Sequence, residues 1–313
     1  MLRFVVRRLI FAIPTLLAVM TMVFVLVRIV PGDPAQTILG DQASAEALQT
    51  MRERLGVDRP IIEQYIEFMG GALVGDWGES MVTGKPVLAE IARVLPYTIE
   101  LTVVSLIIGG LIGIPLGAWS ALHRNEWIDY VTRVGSLLGL SFPAFVSAIL
   151  MLIVFSIQLR WLPVISGGDR SSFGEWARSL ALPALNLGLI MAAYITRVTR
   201  SSMLGSLGED YIRTARAKGV PERVVIWRHG MRNALIPVVT VVGLYLGILI
   251  GNSVLTEIVF NRPGLGKLIV GALGQRDYTL LQGLMIIYTF VIVIVNLLTD
   301  LTYGLIDPRV KYQ

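Results

Sequence analysis

Apolar and polar residues alternate along this chain in blocks rather than singly. Windows without a single Asp, Glu, Lys or Arg run over 9–27, 101–122, 134–159, 179–196, 233–256 and 278–299. Each is at least 18 residues long, enough for a helix to cross about 30 Å of hydrocarbon with every backbone polar group paired inside its own segment. The pattern therefore predicts an all-α membrane protein with six transmembrane helices, and six crossings return the carboxyl terminus to the side of the amino terminus. The start, Arg3 with Arg7 and Arg8 ahead of an apolar run, has the outline of a secretory signal. The run is too long and lacks a small-x-small site, so it reads as a retained first span.

Between the windows the polar stretches differ in character. Residues 28–100 carry 11 Asp or Glu against 6 Lys or Arg. There Ser44 caps and Gly56 ends a predicted helix with Ala45, Leu48, Met51 and Leu55 near one face. A second short helix is expected from Pro60 to Phe68, stopping ahead of Gly70-Gly71. Gly75 to Ser80 reads as a turn cluster, and Val87 to Val94 as an amphipathic helix feeding the second span. This segment is either a small helical cap or a surface for a delivery protein. The resulting division is 1–95, first span and external segment, and 96–313, a five-helix core with a basic loop at 197–232. That loop holds eight Lys or Arg. Asp210 to Lys218 suits a short helix, Gly219 can stop it, and Pro221 can open the next, through Val224, Val225 and Trp227 toward the fifth span. Such a helix, break and helix lying along a membrane suits force transfer to a soluble partner better than simple anchoring.

Composition and charge agree with the blocks. Hydrophobic residues make up 54% and charged residues 16%, with a mean hydropathy of +0.69, more apolar surface than a soluble domain can hide. The net charge of +5 sits mainly in short loops on one side. The amino terminus, the 123–133 loop, the 197–232 loop and the tail hold 15 Lys or Arg, against 6 in the loops at 160–178 and 257–277. Both termini are thus expected in the cytoplasm, and no nucleic-acid partner is implied. Zero cysteines exclude disulfides and thiolate chemistry.

An internal motor is missing. Gly84-Lys85-Pro86 and Gly264-Leu265-Gly266-Lys267-Leu268 lack the first glycine and the hydroxyl of a phosphate-cradling loop. His123 and His229 cannot make a metal cluster. The six windows carry none of the buried charges on which ion-coupled carriers rely, and no internal repeat supports a secondary carrier. An intramembrane enzyme would need a nucleophile and base inside the spans, and none is visible. Notable strong polar side chains within the windows are Asn186, Asn252, Gln282 and Asn296, which either hydrogen-bond between helices or line a polar route. Asp300 and Asp307 lie at or beyond the end of the last span, within reach of solvent or Arg309. Glycine recurs at every fourth position in Gly109, Gly113 and Gly117 and in Gly243, Gly247 and Gly251. That spacing gives smooth faces for close helix packing or for a pathway, with Pro115 and Pro237 as points of bending.

The run Arg213-Thr214-Ala215-Arg216-Ala217-Lys218-Gly219, followed by His229, Arg232-Asn233-Ala234 and Pro237, resembles the coupling-loop signature of ABC importer permeases of the dipeptide, oligopeptide and nickel branch. Val30-Pro31-Gly32-Asp33-Pro34, Leu95-Pro96-Tyr97-Thr98, Glu257-Ile258-Val259-Phe260, Arg262-Pro263-Gly264-Leu265-Gly266, Asp277-Tyr278 and Asp307-Pro308-Arg309-Val310 carry the same resemblance. It departs from the broad importer pattern at Arg213-Thr214-Ala215, where that pattern has Glu-Ala-Ala, and at Arg232, where it has proline. The resemblance implies the type I ABC importer transmembrane fold in the bacterial inner membrane. It further implies a second similar permease, two cytoplasmic subunits that bind ATP and magnesium, and a periplasmic or lipid-anchored binding protein. On that basis residues 213–219 are the ATPase-coupling residues, this chain holds no cofactor, and the cargo is a di- or oligopeptide, or else nickel, glutathione or another small polar solute.

Overall fold

The computed structural model describes residues 2–29, 33–40, 42–166 and 172–306. Val30-Pro31-Gly32 and Asp307-Pro308-Arg309-Val310, which contribute to the family resemblance, lie outside them, as does the side chain of Asp300. The regular secondary structure of the described residues is helical apart from one isolated bridge between Glu79 and Pro86. In order the helices are α1 (Leu2–Ile29), α2 (Pro34–Leu39), α3 (Ala45–Leu55), α4 (Ile61–Val74), α5 (Val87–Leu122), α6 (Trp127–Ser141), α7 (Ala144–Met151), α8 (Phe173–Gly208), α9 (Asp210–Ala217), α10 (Glu222–Val224), α11 (Arg232–Val259), α12 (Leu265–Gly274) and α13 (Tyr278–Ile306). Two π-helical stretches, Leu152–Gln158 and Val225–Met231, continue α7 and join α10 to α11.

Among the described residues four helices are long and apolar enough to cross a bilayer: Val87–Leu122, Phe173–Gly208, Glu222–Val259 and Tyr278–Thr299. The pair Trp127–Ser141 and Ala144–Gln158 adds a fifth if counted together, and Ile13–Leu26 within α1 is a shorter apolar stretch. The window 134–159 is therefore not one straight helix. It bends by 101° at Phe142-Pro143, because proline has no N–H to give the ladder and pushes its predecessor into extended backbone, where Phe142 sits at φ −89°, ψ 132°. The other helices outrun their windows. At 36 residues, α5 is about 54 Å long, far more than a bilayer needs.

The same excess corrects the basic block. Its first part is not loop, because α8 runs on to Gly208 and only the remainder turns aside. In the acidic segment, Ser44 Oγ accepts from Ala47 N at 3.2 Å and Gly56 takes the left-handed conformation at φ 66°, bounding α3 as its composition predicts. The helix α4, however, passes through Gly70-Gly71 and ends at Gly75: two glycines weaken a helix without stopping it, whereas Gly75 supplies the left-handed cap. The helix α2 has the signature of an aspartate cap followed by proline, with Asp33 Oδ1 accepting from Ala35 N at 2.9 Å.

Contacts group the chain into two compact units, Thr98–Arg262 with Ile294–Gln313, and Leu2–Tyr97 with Pro263–Val293. Residues 263–293 thus cluster with the amino-terminal stretch rather than with the rest of 96–313. In the first unit the glycine row of α5 lies against α8. A Cβ at Gly109 would stand 2.7 Å from Met191 Cγ, one at Gly113 2.8 Å from the Ala192 carbonyl, and one at Gly117 2.6 Å from the Thr196 carbonyl. Only glycine allows two backbones so close. Ion pairs pin both ends of this unit. The fully buried Asp129 of α6 accepts from Ser120 Oγ (2.6 Å), from Asn125 N (3.0 Å) and from Arg200 Nε and Nη2 (2.6 and 2.7 Å). At the opposite ends of α5 and α11, Glu100 receives bonds from Trp176 and Arg262, Arg262 also reaches the Ser166 carbonyl at 3.0 Å, and Thr98 donates to Glu257 at 2.6 Å.

The second unit is organised around Asp277, which is buried ahead of α13. Its carboxylate accepts from Ser80 Oγ and from the backbone N–H groups of Met81 (3.1 Å), Val82 (3.4 Å) and Leu280 (3.0 Å), so one side chain both caps a helix and holds the 79–86 turn. Val87, Ile91, Val94, Leu265, Leu281 and Leu284 pack with one another as an apolar core of the same unit.

Candidate coupling surface

At the end of α8 the chain turns sharply at Glu209, whose φ −72°, ψ 151° is extended, and enters α9. Ile212 and Ala215 fall three apart, hence on one face, and both are buried against Val225 with Val220 alongside. Arg213, Thr214, Arg216, Ala217 and Lys218 are exposed. Of the seven residues expected to couple, Ala215 is therefore a packing residue and the others form the outward face. Gly219 closes the element at φ 75° with nothing within 4 Å of a would-be Cβ. The left-handed backbone, not crowding, is what demands glycine there. Pro221 then opens α10 as its N-cap.

Two features bind this module together. Arg216 spans the break to Glu222, Nε to Oε2 at 3.1 Å and Nη2 to Oε1 at 2.6 Å. This hydrogen bond outweighs a small desolvation and raises the Arg216 pKa above its ordinary value. Arg216 is thus already paired within the chain, whereas Lys218 is an exposed cation at the tip. The second feature is a hydroxyl relay. Ser206 Oγ of α8 donates its one proton to the Gly230 carbonyl (3.0 Å), so at 2.7 Å it accepts from the Tyr211 hydroxyl of α9, which accepts from Asn233 Nδ2 of α11 at 2.8 Å. Displacing α9 thus strains α8 and α11 together.

The stretch between Pro221 and the fifth span was expected as a plain helix. It contains the π-helical turn Val225–Met231, a form common at functional sites. Gly230 lies in it, where a Cβ would stand 3.0 Å from Leu207 Cδ2. Ser206, Tyr211 and Glu222 escaped the sequence reading because their partners are close in space on other elements. The candidate route residues separate. Asn186 is buried between helices, accepting from Ser147 Oγ at 2.6 Å and donating to the Ala144 carbonyl at 3.0 Å, so it is spent on packing. Asn252 is half-buried, Asn296 is exposed, and Gln282 lines a cavity of the second unit.

A chain of membrane helices whose basic linker forms such a surface belongs to a recognisable class. Residues 113–312 match the family model of the binding-protein-dependent transport system inner membrane component, and 1–102 match the model of its N-terminal part. The chain belongs to this family: it is a multi-pass inner-membrane permease subunit of an ABC importer. Among its relatives is the glutathione transport system permease protein GsiC of Escherichia coli (strain K12), 42% identical over 313 residues and covering all of both chains. The protein of that name from Salmonella typhi is 43% identical over 314 residues, also at full coverage. A solved inward-facing structure of the MetNI methionine ABC transporter matches with a TM-score of 0.56 at 20% identity, over 70% of this chain and 97% of that one. At that identity the likeness shows that the two chains share a fold.

Proposed function

We propose that the chain forms half of the channel of a type I importer for short peptides, glutathione among them, with six spans and both termini in the cytoplasm. Counting the bent pair as one span and α1 as another, beside the four long helices, supports six, and the one-sided excess of Lys and Arg supports the orientation. ATP and magnesium are bound by two separate cytoplasmic subunits, a second permease completes the channel, and a binding protein delivers cargo from outside. The peptide reading draws on the motif resemblance and on relatives that carry a glutathione-permease name.

The observation that carries the mechanism is the build of α9: a buried apolar keel, an exposed basic face, and a hydroxyl relay into α8 and α11. Closure of the ATPase pair pushes on the exposed face. The keel prevents slip, and the relay passes the displacement to both spans. Liposomes holding the chain with its partner subunits and binding protein should take up glutathione or a dipeptide on ATP alone. Replacing Gly219 by leucine forces a side chain into left-handed backbone at roughly 1–2 kcal/mol, and should leave membrane insertion and ATP hydrolysis intact while uptake is lost. Uphill pumping by the isolated chain, or uptake that collapses with an ion gradient, would sink the proposal.

A further inference from the structure

Two arginines one turn apart on α8 have opposite surroundings. Arg200 is held by the buried Asp129 carboxylate, whereas Arg197 is exposed and has no carboxylate within ion-pair reach among the described residues. Arg197 directly follows the charge-free window 179–196, and α8 runs on past it to Gly208, a further stretch of about 16 Å. A guanidinium left without a partner so close to hydrocarbon is destabilising, and such a residue marks a function more often than it serves the fold.

The polar groups beside it are tyrosines. Tyr194, three residues earlier and so on the same side of α8, stacks on Tyr245 of α11 with ring centroids 3.9 Å apart and planes at 35°. The two hydroxyls interact, and Arg197 is within electrostatic range of Tyr245. Both tyrosines are half-buried, so the cluster is not sealed in a core. Gly243, just before Tyr245, rests against Thr299 at the end of the last window, which sets the cluster in the half of the spans nearer α9. Leu244 and Ile248, neighbours of Tyr245 on the helix surface, are exposed, and Gly247 has nothing within 4 Å. Asn252, seven residues on and therefore on the Tyr245 face, is half-buried as well. Two hydroxyls, an amide and a guanidinium thus border the open face of α11, where a second channel half would close against it.

We infer that Arg197, with the Tyr194 and Tyr245 hydroxyls beside it, receives the carboxylate of the cargo on the α9 side of the path and so favours carboxylate-bearing solutes over neutral ones. The guanidinium supplies both the charge and a planar fork of donors that matches a carboxylate. The inference deepens the peptide-importer reading and rests on it for the cargo, since short unblocked peptides keep an ionised carboxylate near neutral pH. A guanidinium that faced lipid would instead reach toward a phosphate headgroup, and the test separates the two anions.

Because the chain has no cysteine, Arg197→Cys places a single thiol at this position. The full assembly is reconstituted in liposomes with cysteine-free partner subunits and binding protein, and thiol reagents are supplied on both sides of the membrane. ATP-driven dialanine uptake should fall roughly tenfold, the worth of a charge-assisted hydrogen bond. Reaction with the cation aminoethyl methanethiosulfonate should bring uptake back to within about twofold of the unsubstituted chain. The sulfonatoethyl reagent, which adds a negative charge, should not. Dialanine should slow both reactions. A thiol that neither reagent reaches (an arginine facing lipid only), reactions that dialanine does not slow, or equal uptake by the two adducts overturns the inference. Should the cysteine variant fail to assemble, Arg197→Lys and Arg197→Gln pose the same question: uptake mostly kept by the first and lost roughly tenfold by the second is expected, and equal uptake refutes it. Tyr245→Phe keeps the stacked ring and should lower uptake several-fold, so unchanged uptake counts against the site. Uptake that ignores the charge at residue 197 removes this contact and leaves the importer reading standing; a thiol protected by dialanine in an assembly that takes up no peptide supports the contact and removes that reading.

Discussion

The two helices joined through α9 meet very different surroundings. In α8, 72% of the most apolar stretch is buried inside the chain; in the helix that contains α11 the share is 28%. The glycine rows show why. Gly109, Gly113 and Gly117 are all in tight contact with α8, whereas in α11 only Gly243 is crowded, by Thr299, and Gly247 and Gly251 have nothing within 4 Å. Beside those open glycines, Leu244, Ile248 and Leu255 are exposed and fall on one stripe at helical spacing. Identical spacing thus makes a closed seam in one place and an uncovered face in the other. On the proposed reading the clamped arm carries α5 and α6 with it in the ATPase stroke, and the open arm meets the second permease.

The largest test of this asymmetry removes the clamp. Arg200→Ala strands the buried Asp129 carboxylate, and breaking such a pair costs about 3–5 kcal/mol, visible as a large fall in the thermal unfolding midpoint of the purified chain. Arg200→Lys should recover part of it, because a lysine cannot make both bonds. An unchanged midpoint in the alanine variant would show that the clamp carries little load.

Next comes the contrast between the rows. Gly113→Leu overpacks the seam for about 1–3 kcal/mol, while Gly247→Leu, facing open space, should move the isolated chain by no more than about 0.5 kcal/mol and instead impair recovery of a co-expressed second permease. Equal destabilisation by the two would erase the comparison. Tyr211→Phe removes the centre of the relay for about 1 kcal/mol. Its diagnostic readout is less peptide moved per ATP hydrolysed, and an unaltered ratio would take the relay out of the mechanism. Smallest is Lys218→Glu, which should leave the fold alone and reduce ATPase co-purification roughly two- to fivefold. Charge reversal at Arg216 confounds docking with loss of the Glu222 bridge, so Lys218 is the cleaner probe.

Much of the helical content, together with α3, the Gly219 stop and the basic face of α9, was legible in the residues, since each rests on apolar run length, a local cap or side-chain chemistry. Several features were not. The 101° bend at Phe142-Pro143 lies inside a window with no charge to mark a boundary, and the extension of α8 into the basic block lies where charge suggested a loop. The fate of the four polar span residues was equally hidden: Asn186 is satisfied by α7, while Gln282 opens on a cavity whose other walls lie more than 200 residues earlier in the chain.

By itself the sequence determined that this is a helical membrane protein carrying a basic break-and-turn element between two spans. Periodicity, charge placement and caps act over a few residues, so they can be read along the chain. Which glycine row is filled and which arm of α9 is clamped by Asp129 and Arg200 were decided only by tertiary structure. Those outcomes depend on backbones and side chains brought within 3 Å or so by packing among distant segments.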